Sequence, residues 1–95
     1  MIKSFADKHT EQLFDRKRVS KLPSTILKVA YRKLLIIDAA EQIEDLRIPS
    51  GNRLEKLKGN FSGKYSIRIN NQWRIIFGWK ENNAFDVEII DYHKG

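Results

Sequence analysis

A polar triplet near the end of the sequence carries the side chains best suited to acid–base chemistry. Asp91, Tyr92 and His93 follow a largely apolar stretch. An imidazole titrates near neutrality, so His93 can take a proton from a ribose 2′-hydroxyl or give one to a leaving 5′-oxygen. On an extended chain the side chains of Asp91 and His93 point to the same side, so Asp91 can orient the imidazole. Tyr92 offers a phenol donor and a ring for base stacking. The alternative interpretation of the triplet is a solvated chain end.

Two basic residues are suited to holding a phosphate. Arg74 lies in an apolar run, where a charge is costly unless a face is open or a partner is present. Lys58 precedes Gly59, where backbone can approach a ligand closely. A fixed cation beside a phosphodiester can lower the barrier to in-line attack by ~3–4 kcal/mol. The alternatives are an ion pair of Arg74 with Glu88 or Asp91, and an ordinary strand-end lysine at position 58.

The net charge of +6 is concentrated around these two residues. Between Arg47 and Arg74 there are seven basic residues and one acid, Glu55, so the rest of the chain is close to neutral. A basic excess in one stretch favours a polyanion-facing surface, although a merely soluble basic face has the same composition. We expect Glu55 to neutralise nearby cations. The residues expected to position a nucleic-acid backbone are Arg53, Lys56, Lys64 and Arg68.

Length and composition exclude several other classes of protein. A chain of 95 residues with 41% hydrophobic and 32% charged residues is expected to form a single domain, residues 1–95. With no cysteine and only two histidines, disulfides, thiolate nucleophiles and multi-histidine metal sites are ruled out. The first eight residues do not resemble a signal peptide, and the longest apolar run is four residues. We expect a soluble, cytoplasmic domain without a metal or other cofactor.

Hydrophobic periodicity predicts the elements that must position these side chains. The first half of the chain has helical spacing, and the second half alternates with period two. The predicted fold is α+β: two N-terminal helices packed on one face of a small, twisted antiparallel sheet. The predicted helices span Asp7–Arg16 and, capped by Ser24 or Thr25, a segment ending near Ala40. The predicted strands are Lys64–Ile69, Gln72–Trp79 and Phe85–Tyr92.

In order and spacing, several segments resemble the HigB branch of the RelE-type toxins. The resemblance covers nearly the whole chain, and its pieces are specific only in combination. They are Met1-Ile2-Lys3-Ser4-Phe5, Pro49-Ser50-Gly51-Asn52-Arg53-Leu54, Leu57-Lys58-Gly59, Tyr65-Ser66-Ile67-Arg68-Ile69-Asn70, Gln72-Trp73-Arg74-Ile75 and Val87-Glu88-Ile89-Ile90-Asp91-Tyr92-His93.

The resemblance implies a RelE-like fold and a ribosome-dependent endoribonuclease that cuts messenger RNA in the A site. The implied reaction is metal-independent attack by a 2′-hydroxyl on the adjacent phosphate. By position, the resemblance assigns catalysis to His93, Asp91, Tyr92, Arg74 and Lys58. It also places an RNA-contacting amide at Gln72, and a glutamate, Glu55, where some relatives have histidine.

The resemblance further implies a HigA-type helix-turn-helix antitoxin as partner, with the toxin itself monomeric inside a larger complex. Two alternatives use the same residues differently. One is a non-catalytic, basic nucleic-acid-binding module, and the other is a weakly active protein that chiefly binds its antitoxin.

Overall fold

Two helices and a four-stranded sheet make up the computed structural model, which describes residues 1–92. His93 therefore lies outside the described residues. Three short 3₁₀ turns separate the helical half from the sheet and connect its first two strands. The helices are α1 (Lys8–Phe14) and α2 (Ser24–Ala39), and the strands are β1 (Glu55–Lys56), β2 (Lys64–Arg68), β3 (Trp73–Lys80) and β4 (Asn83–Asp91).

The helices form for the reasons that the sequence indicates, with one difference at the start of α2. Asp7 caps α1 by accepting a hydrogen bond from the backbone N–H of Thr10 at 2.7 Å. The predicted cap of α2 by Ser24 or Thr25 is wrong. Pro23 precedes the helix, Ser24 is its first residue, and no side chain caps it. Pro23 can start the helix without a cap because its fixed φ is already compatible with helical geometry.

The sheet is an antiparallel meander in the order β1-β2-β3-β4. Asn70 Oδ1 closes the β2–β3 turn by accepting from the N–H groups of Gln72 and Trp73, both at 2.8 Å. Glu81 and Asn82 in the β3–β4 turn have φ of 52° and 64°, as a two-residue hairpin with right-handed strand twist requires. Strand β1 was not predicted, because two residues are too few to show an alternation.

Both helices pack on one face of this sheet, so the predicted α+β fold is confirmed. The core between the two layers contains Leu34 and Ile37 of α2 and Ile67, Ile75 and Val87 of the sheet, all fully buried. The opposite face is called the open face here. By strand register it carries Glu55, Lys64, Ser66, Arg68, Arg74, Ile76, Glu88 and Ile90.

The first six residues of the chain run beside the outer edge of β4. Ile2 and Phe5 pair in parallel with Ala84 and Val87. Four backbone hydrogen bonds of 2.8–3.1 Å hold this N-terminal segment in place. A one-residue bulge in β4 falls in the same region, with Asp86 at φ 52°. The segment gives the outer edge of β4 a partner, which an edge strand otherwise lacks.

Candidate active site

Arg74 is the best-anchored cation on the open face. Its side chain is only 12% exposed, and Nη2 donates to the backbone carbonyl of Arg53 at 2.7 Å. Its guanidinium carbon lies 5.2 Å from the centroid of the Tyr92 ring. These contacts fix the guanidinium plane. Binding of a ligand to Arg74 therefore does not require the entropic cost of ordering a long side chain.

The charge of Arg74 is only partly compensated. Burial lowers the pKa of Arg74, Glu55 and Tyr92 act in the opposite direction, and Arg68 and Arg53 lower it further. An arginine in a protein stays charged regardless, so the lowered pKa marks a cation that an anion would stabilise. Arg74 Nε is buried and donates to no other group among residues 1–92.

Arg68 stands directly opposite Arg74 across the β2–β3 pair. Like charges at directly opposed positions repel, and such a pair is tolerated where an anion can lie between the two. Arg68 donates to the side-chain oxygen of Asn71 in the neighbouring turn, which holds it at this end of the face. The register, which the sequence left undetermined, therefore places Arg68 and Arg74 on the same face.

Glu55 occupies the neutralising position that its isolation in the sequence suggested. Its carboxylate lies 3.8 Å from Arg74 Nη1 and its side chain is 52% exposed. The ion pair of Arg74 with Glu88 or Asp91 is not formed: Arg74 is opposite Ile90, and its acidic partner comes from β1. Because strand β1 was not predicted, the sequence indicated that Glu55 neutralises nearby cations but not that Arg74 is the one it contacts.

Asp91 and Tyr92, the two described residues of the C-terminal triplet, lie on opposite faces of the sheet. Tyr92 lies over Arg74 on the open face. Asp91 is paired with Trp73, so it has the opposite parity, and its Oδ2 accepts from Gln72 Nε2 at 2.9 Å. The Gln72 carbonyl accepts from the N–H of Tyr92 at 2.6 Å. Gln72 thus binds both Asp91 and Tyr92, and its side-chain amide nitrogen already donates to Asp91.

The remaining predicted contacts lie away from Arg74. Lys64 is on the open face, but four residues along β2 from Arg68, or about 13 Å at the usual rise of a strand. Lys58 is exposed and lies just beyond the Leu57–Lys64 pair, at that same far end. Lys56 is opposite Tyr65, so it belongs to the helix side of the sheet. The structure therefore brings Arg53, Arg68 and Tyr92 to Arg74, and does not bring Lys56 or Lys58 there.

An open cleft of about 270 Å³ lies at the centre of this arrangement, lined by Arg53, Leu54, Glu55 and Arg74. We call Arg53, Glu55, Arg68, Arg74 and Tyr92 together the Arg74 cluster. It combines three cations, one carboxylate and one phenol on a solvent-facing surface. Such a set can hold a phosphate, stabilise added charge on its oxygens and stack a base.

Two residues that support the cluster were missed by the sequence analysis. Lys33 of α2 is 8% exposed and donates through Nζ to the side-chain oxygen of the fully buried Asn52. Burial lowers the pKa of Lys33, and Arg32 and Arg68 lower it further. Lys33 lies seven residues after Ile26 and four before Ile37, so the helical spacing of the apolar positions already places it on the buried side of α2.

The described residues contain neither a cluster of metal ligands nor a helix suited to crossing a membrane. Within residues 1–92, no three His, Cys, Asp or Glu side chains gather as metal ligands would. Neither described helix has the length and hydropathy needed to cross a membrane.

The structure is an α+β protein with a cluster of arginines on one sheet face, and comparison with solved structures supports the fold. The fold resembles a chain of the YoeB–YefM complex from Staphylococcus aureus, with a TM-score of 0.60, 23% identity and 98% of both chains covered. A second structure, the heterotetrameric YoeB–YefM toxin–antitoxin complex of that organism, matches with the same values.

Sequence comparisons identify the family. The model described as "RelE-like toxin of type II toxin-antitoxin system HigB" matches residues 3–93. Toxin HigB-1 of Vibrio cholerae is 47% identical over 95 residues, 99% of each chain. Endoribonuclease HigB of Proteus vulgaris is 33% identical over 93 residues, 98% of this chain and 100% of the relative. The chain belongs to the HigB-like toxins of type II toxin–antitoxin systems.

Proposed function

We propose that this toxin is an endoribonuclease that cuts messenger RNA in the ribosomal A site. The observation that carries the proposal is the fixed, under-compensated guanidinium of Arg74 on the open face. A binding surface needs only solvated cations, whereas a guanidinium held by a carbonyl and a ring is prepared to stabilise charge that develops during a reaction.

The reaction proposed is an intramolecular transesterification. The 2′-oxygen of one ribose forms a bond to the adjacent phosphorus, and the bond from phosphorus to the 5′-oxygen breaks. The products are a 2′,3′-cyclic phosphate and a free 5′-hydroxyl, with one proton lost from the 2′-hydroxyl and one gained by the 5′-oxygen. No metal or other cofactor takes part.

The proposed roles follow from position in the fold. Arg74 binds the equatorial phosphate oxygens, and Tyr92 stacks a base or donates its phenol proton. His93 transfers protons, and Asp91, held by Gln72 at 2.9 Å, orients the end of the chain. The family resemblance supports a catalytic role for His93, which is outside the described residues, and for Lys58.

RNA contacts away from the reacting phosphate are assigned to the other open-face cations. Arg53 and Arg68 flank Arg74, and Lys64 extends the basic surface toward the far end of the sheet. Contacts of this kind give affinity and salt dependence without base preference. We therefore propose that base or codon selection comes from stacking and from the ribosome.

The partner proposed is a HigA-type helix-turn-helix antitoxin, which binds a monomeric toxin in a larger complex and keeps it inactive. The matched structures are themselves toxin–antitoxin complexes, which supports an antitoxin partner. Action on translating ribosomes would place the toxin in the cytoplasm.

The test is primer extension on a defined messenger RNA with purified protein, with programmed ribosomes in Mg²⁺-containing buffer and on free RNA with and without excess EDTA. We expect cleavage only on the ribosome, within the A-site codon, and its loss in His93→Ala and Arg74→Ala. Cleavage of free RNA would retain the nuclease and overturn the ribosome dependence. RNA binding without cleavage in either arm would identify a non-catalytic binding module instead.

A further inference from the structure

A buried polar pair lies beneath the loop that precedes β1. Lys33 Nζ donates to Asn52 Oδ1, and Asn52 Nδ2 donates to the carbonyls of Leu46 at 3.1 Å and Ile48 at 3.3 Å. The Asn52 side chain thus closes the loop on itself and ties it to α2. A buried ammonium is expensive unless well paired, so an apolar residue would be the cheaper way merely to fill this space.

The backbone of Arg53, the residue after Asn52, connects this buried pair to the open face. Arg53 has left-handed backbone angles, φ 47° and ψ 56°, and its N–H donates to the Ser50 carbonyl at 3.1 Å. A non-glycine residue keeps this conformation only where its surroundings impose it. The direction of the Arg53 carbonyl therefore depends on Asn52, and that carbonyl accepts from Arg74 Nη2 at 2.7 Å.

We propose that Lys33 and Asn52 are positioning residues for Arg74, acting through the backbone carbonyl of Arg53. Lys33 fixes Asn52, Asn52 fixes the turn at Arg53, and the turn aims the guanidinium of Arg74. The proposal about the rate rests on the proposed function, whereas the proposal about the orientation of Arg74 stands independently of it.

The main variant is Lys33→Met, which preserves the apolar stem and removes the ammonium. We expect the single-turnover cleavage rate on programmed ribosomes to fall about tenfold with KM changed less than about twofold, because misplacement of a catalytic group affects the transition state most. In an Arg74→Ala background the same substitution should have no further effect on rate. Additive losses in this double-mutant cycle would overturn the proposal.

The matched control is Thr10→Val. Thr10 is also fully buried, and its Oγ1 accepts from the N–H of Ile89 at 3.0 Å, in a contact between α1 and β4. The control therefore also removes one buried side-chain hydrogen bond, at a place unconnected with Arg53. Equal rate losses in Lys33→Met and Thr10→Val at equal loss of Tm would show a role in stability alone.

A spectroscopic measurement separates this proposal from the proposed function. The ¹⁵N–¹H resonance of Arg74 Nε, identified by its absence in Arg74→Lys, should shift in Lys33→Met and stay in place in Thr10→Val. This result holds even for a protein that does not cleave RNA. An unmoved resonance in Lys33→Met would overturn the proposal.

A second substitution covers the case in which Lys33→Met does not fold. Asn52→Asp keeps an acceptor for Lys33 but loses the amide donors to the carbonyls of Leu46 and Ile48. It should move the Arg74 resonance and lower the rate in the same way. A folded Asn52→Asp protein with wild-type rate and resonance would contradict the proposed role of Asn52.

Discussion

Two regions of this toxin contain the same number of basic residues and use them differently. Residues 47–74 contain seven basic residues and one acid, and residues 16–33 contain seven basic residues and no acid. On the open face, Arg74 is held by a carbonyl and a ring, with a carboxylate nearby. On the helix side, Arg16, Lys17, Lys28 and Arg32 are exposed.

The helix side has a groove of its own, without a comparably fixed cation. The groove has a volume of about 300 Å³ and is lined by Leu13, Arg16, Lys17, Leu27, Lys28 and Tyr31. Arg16 lies 5.1 Å from the centre of the Tyr31 ring but is otherwise exposed. Net positive charge identifies surfaces that attract polyanions. A cation held in place by buried partners identifies the surface that can stabilise charge in a transition state.

The largest effect is expected when the anchored cation is removed. Arg74→Ala should lower single-turnover cleavage on programmed ribosomes about 100- to 1,000-fold, since one fixed donor to the transition state is lost. Arg74→Lys should recover little, because an ammonium cannot reproduce the planar set of donors. Lys28→Ala on the helix side is the control. Comparable losses in Lys28→Ala and Arg74→Ala would abolish the distinction between the two regions.

A smaller effect is expected from the ring that covers Arg74. Tyr92→Leu should lower the cleavage rate about tenfold, because it removes both the ring contact with the guanidinium and the phenol. Tyr92→Phe keeps the ring and should separate the two contributions in the same assay. A rate for Tyr92→Phe as low as that of Tyr92→Leu would assign the whole effect to the hydroxyl group.

Neutralising the carboxylate next to Arg74 should strengthen RNA binding. Glu55→Gln should tighten the Kd for a short single-stranded RNA about two- to fivefold at low salt, and steepen the salt dependence by about one counterion. Fluorescence anisotropy across a salt series measures both. If RNA binds only the open face, Lys28→Ala leaves the slope unchanged, and a slope that falls instead would place RNA on the helix side as well.

The smallest effect concerns Glu88, the half-buried acid of the open face. Burial raises the pKa of Glu88, Asp7 and Asp86 raise it further, and Lys64 partly offsets this. The folded protein therefore binds this proton more tightly than the unfolded chain does, and stability falls as pH rises through the window above about 4.3.

Glu88→Gln removes that cost, so its Tm should exceed that of wild type by a few degrees at most at pH 7. The difference should shrink toward zero as pH falls to about 4. Thermal melts followed by circular dichroism between these pH values measure this, with the exposed Glu11→Gln as control. A Tm for Glu88→Gln below wild type at pH 7 would mean that the charge of Glu88 stabilises the fold through Lys64.

Periodicity predicted most of the fold, because the apolar positions of α2 and of β2 to β4 repeat along many residues. It did not predict β1, whose two residues are a strand only by virtue of pairing with β2. The start of α2 was also missed, because Ser24 has a side chain suited to capping but lies inside the helix. The preference of Ser24 for the capping position is overridden there, because Pro23, which precedes it, occupies that position.

The candidate site was predictable in its residue types and less so in its contacts. Arg74 and Tyr92 stood out because charged and polar side chains are unusual in an apolar strand. Their proximity depends on strand register, which the sequence leaves open. Lys33 was missed although its spacing from Ile26 and Ile37 puts it on the buried side of α2, and the burial of Asn52 depends on a loop whose path the sequence leaves open. The helix-side charge was hidden by acids elsewhere in the chain.

The N-terminal segment beside β4 makes the order of synthesis matter. Residues 1–6 are synthesised well before their backbone partners, residues 84–87, which follow some eighty residues later. Contacts so distant along the chain form late and slowly. In a nascent chain, residues 1–6 therefore lack their backbone partners until β4 has emerged. Since Arg74 packs against the ring of Tyr92, just after β4, the Arg74 cluster is complete only once β4 and Tyr92 have been made.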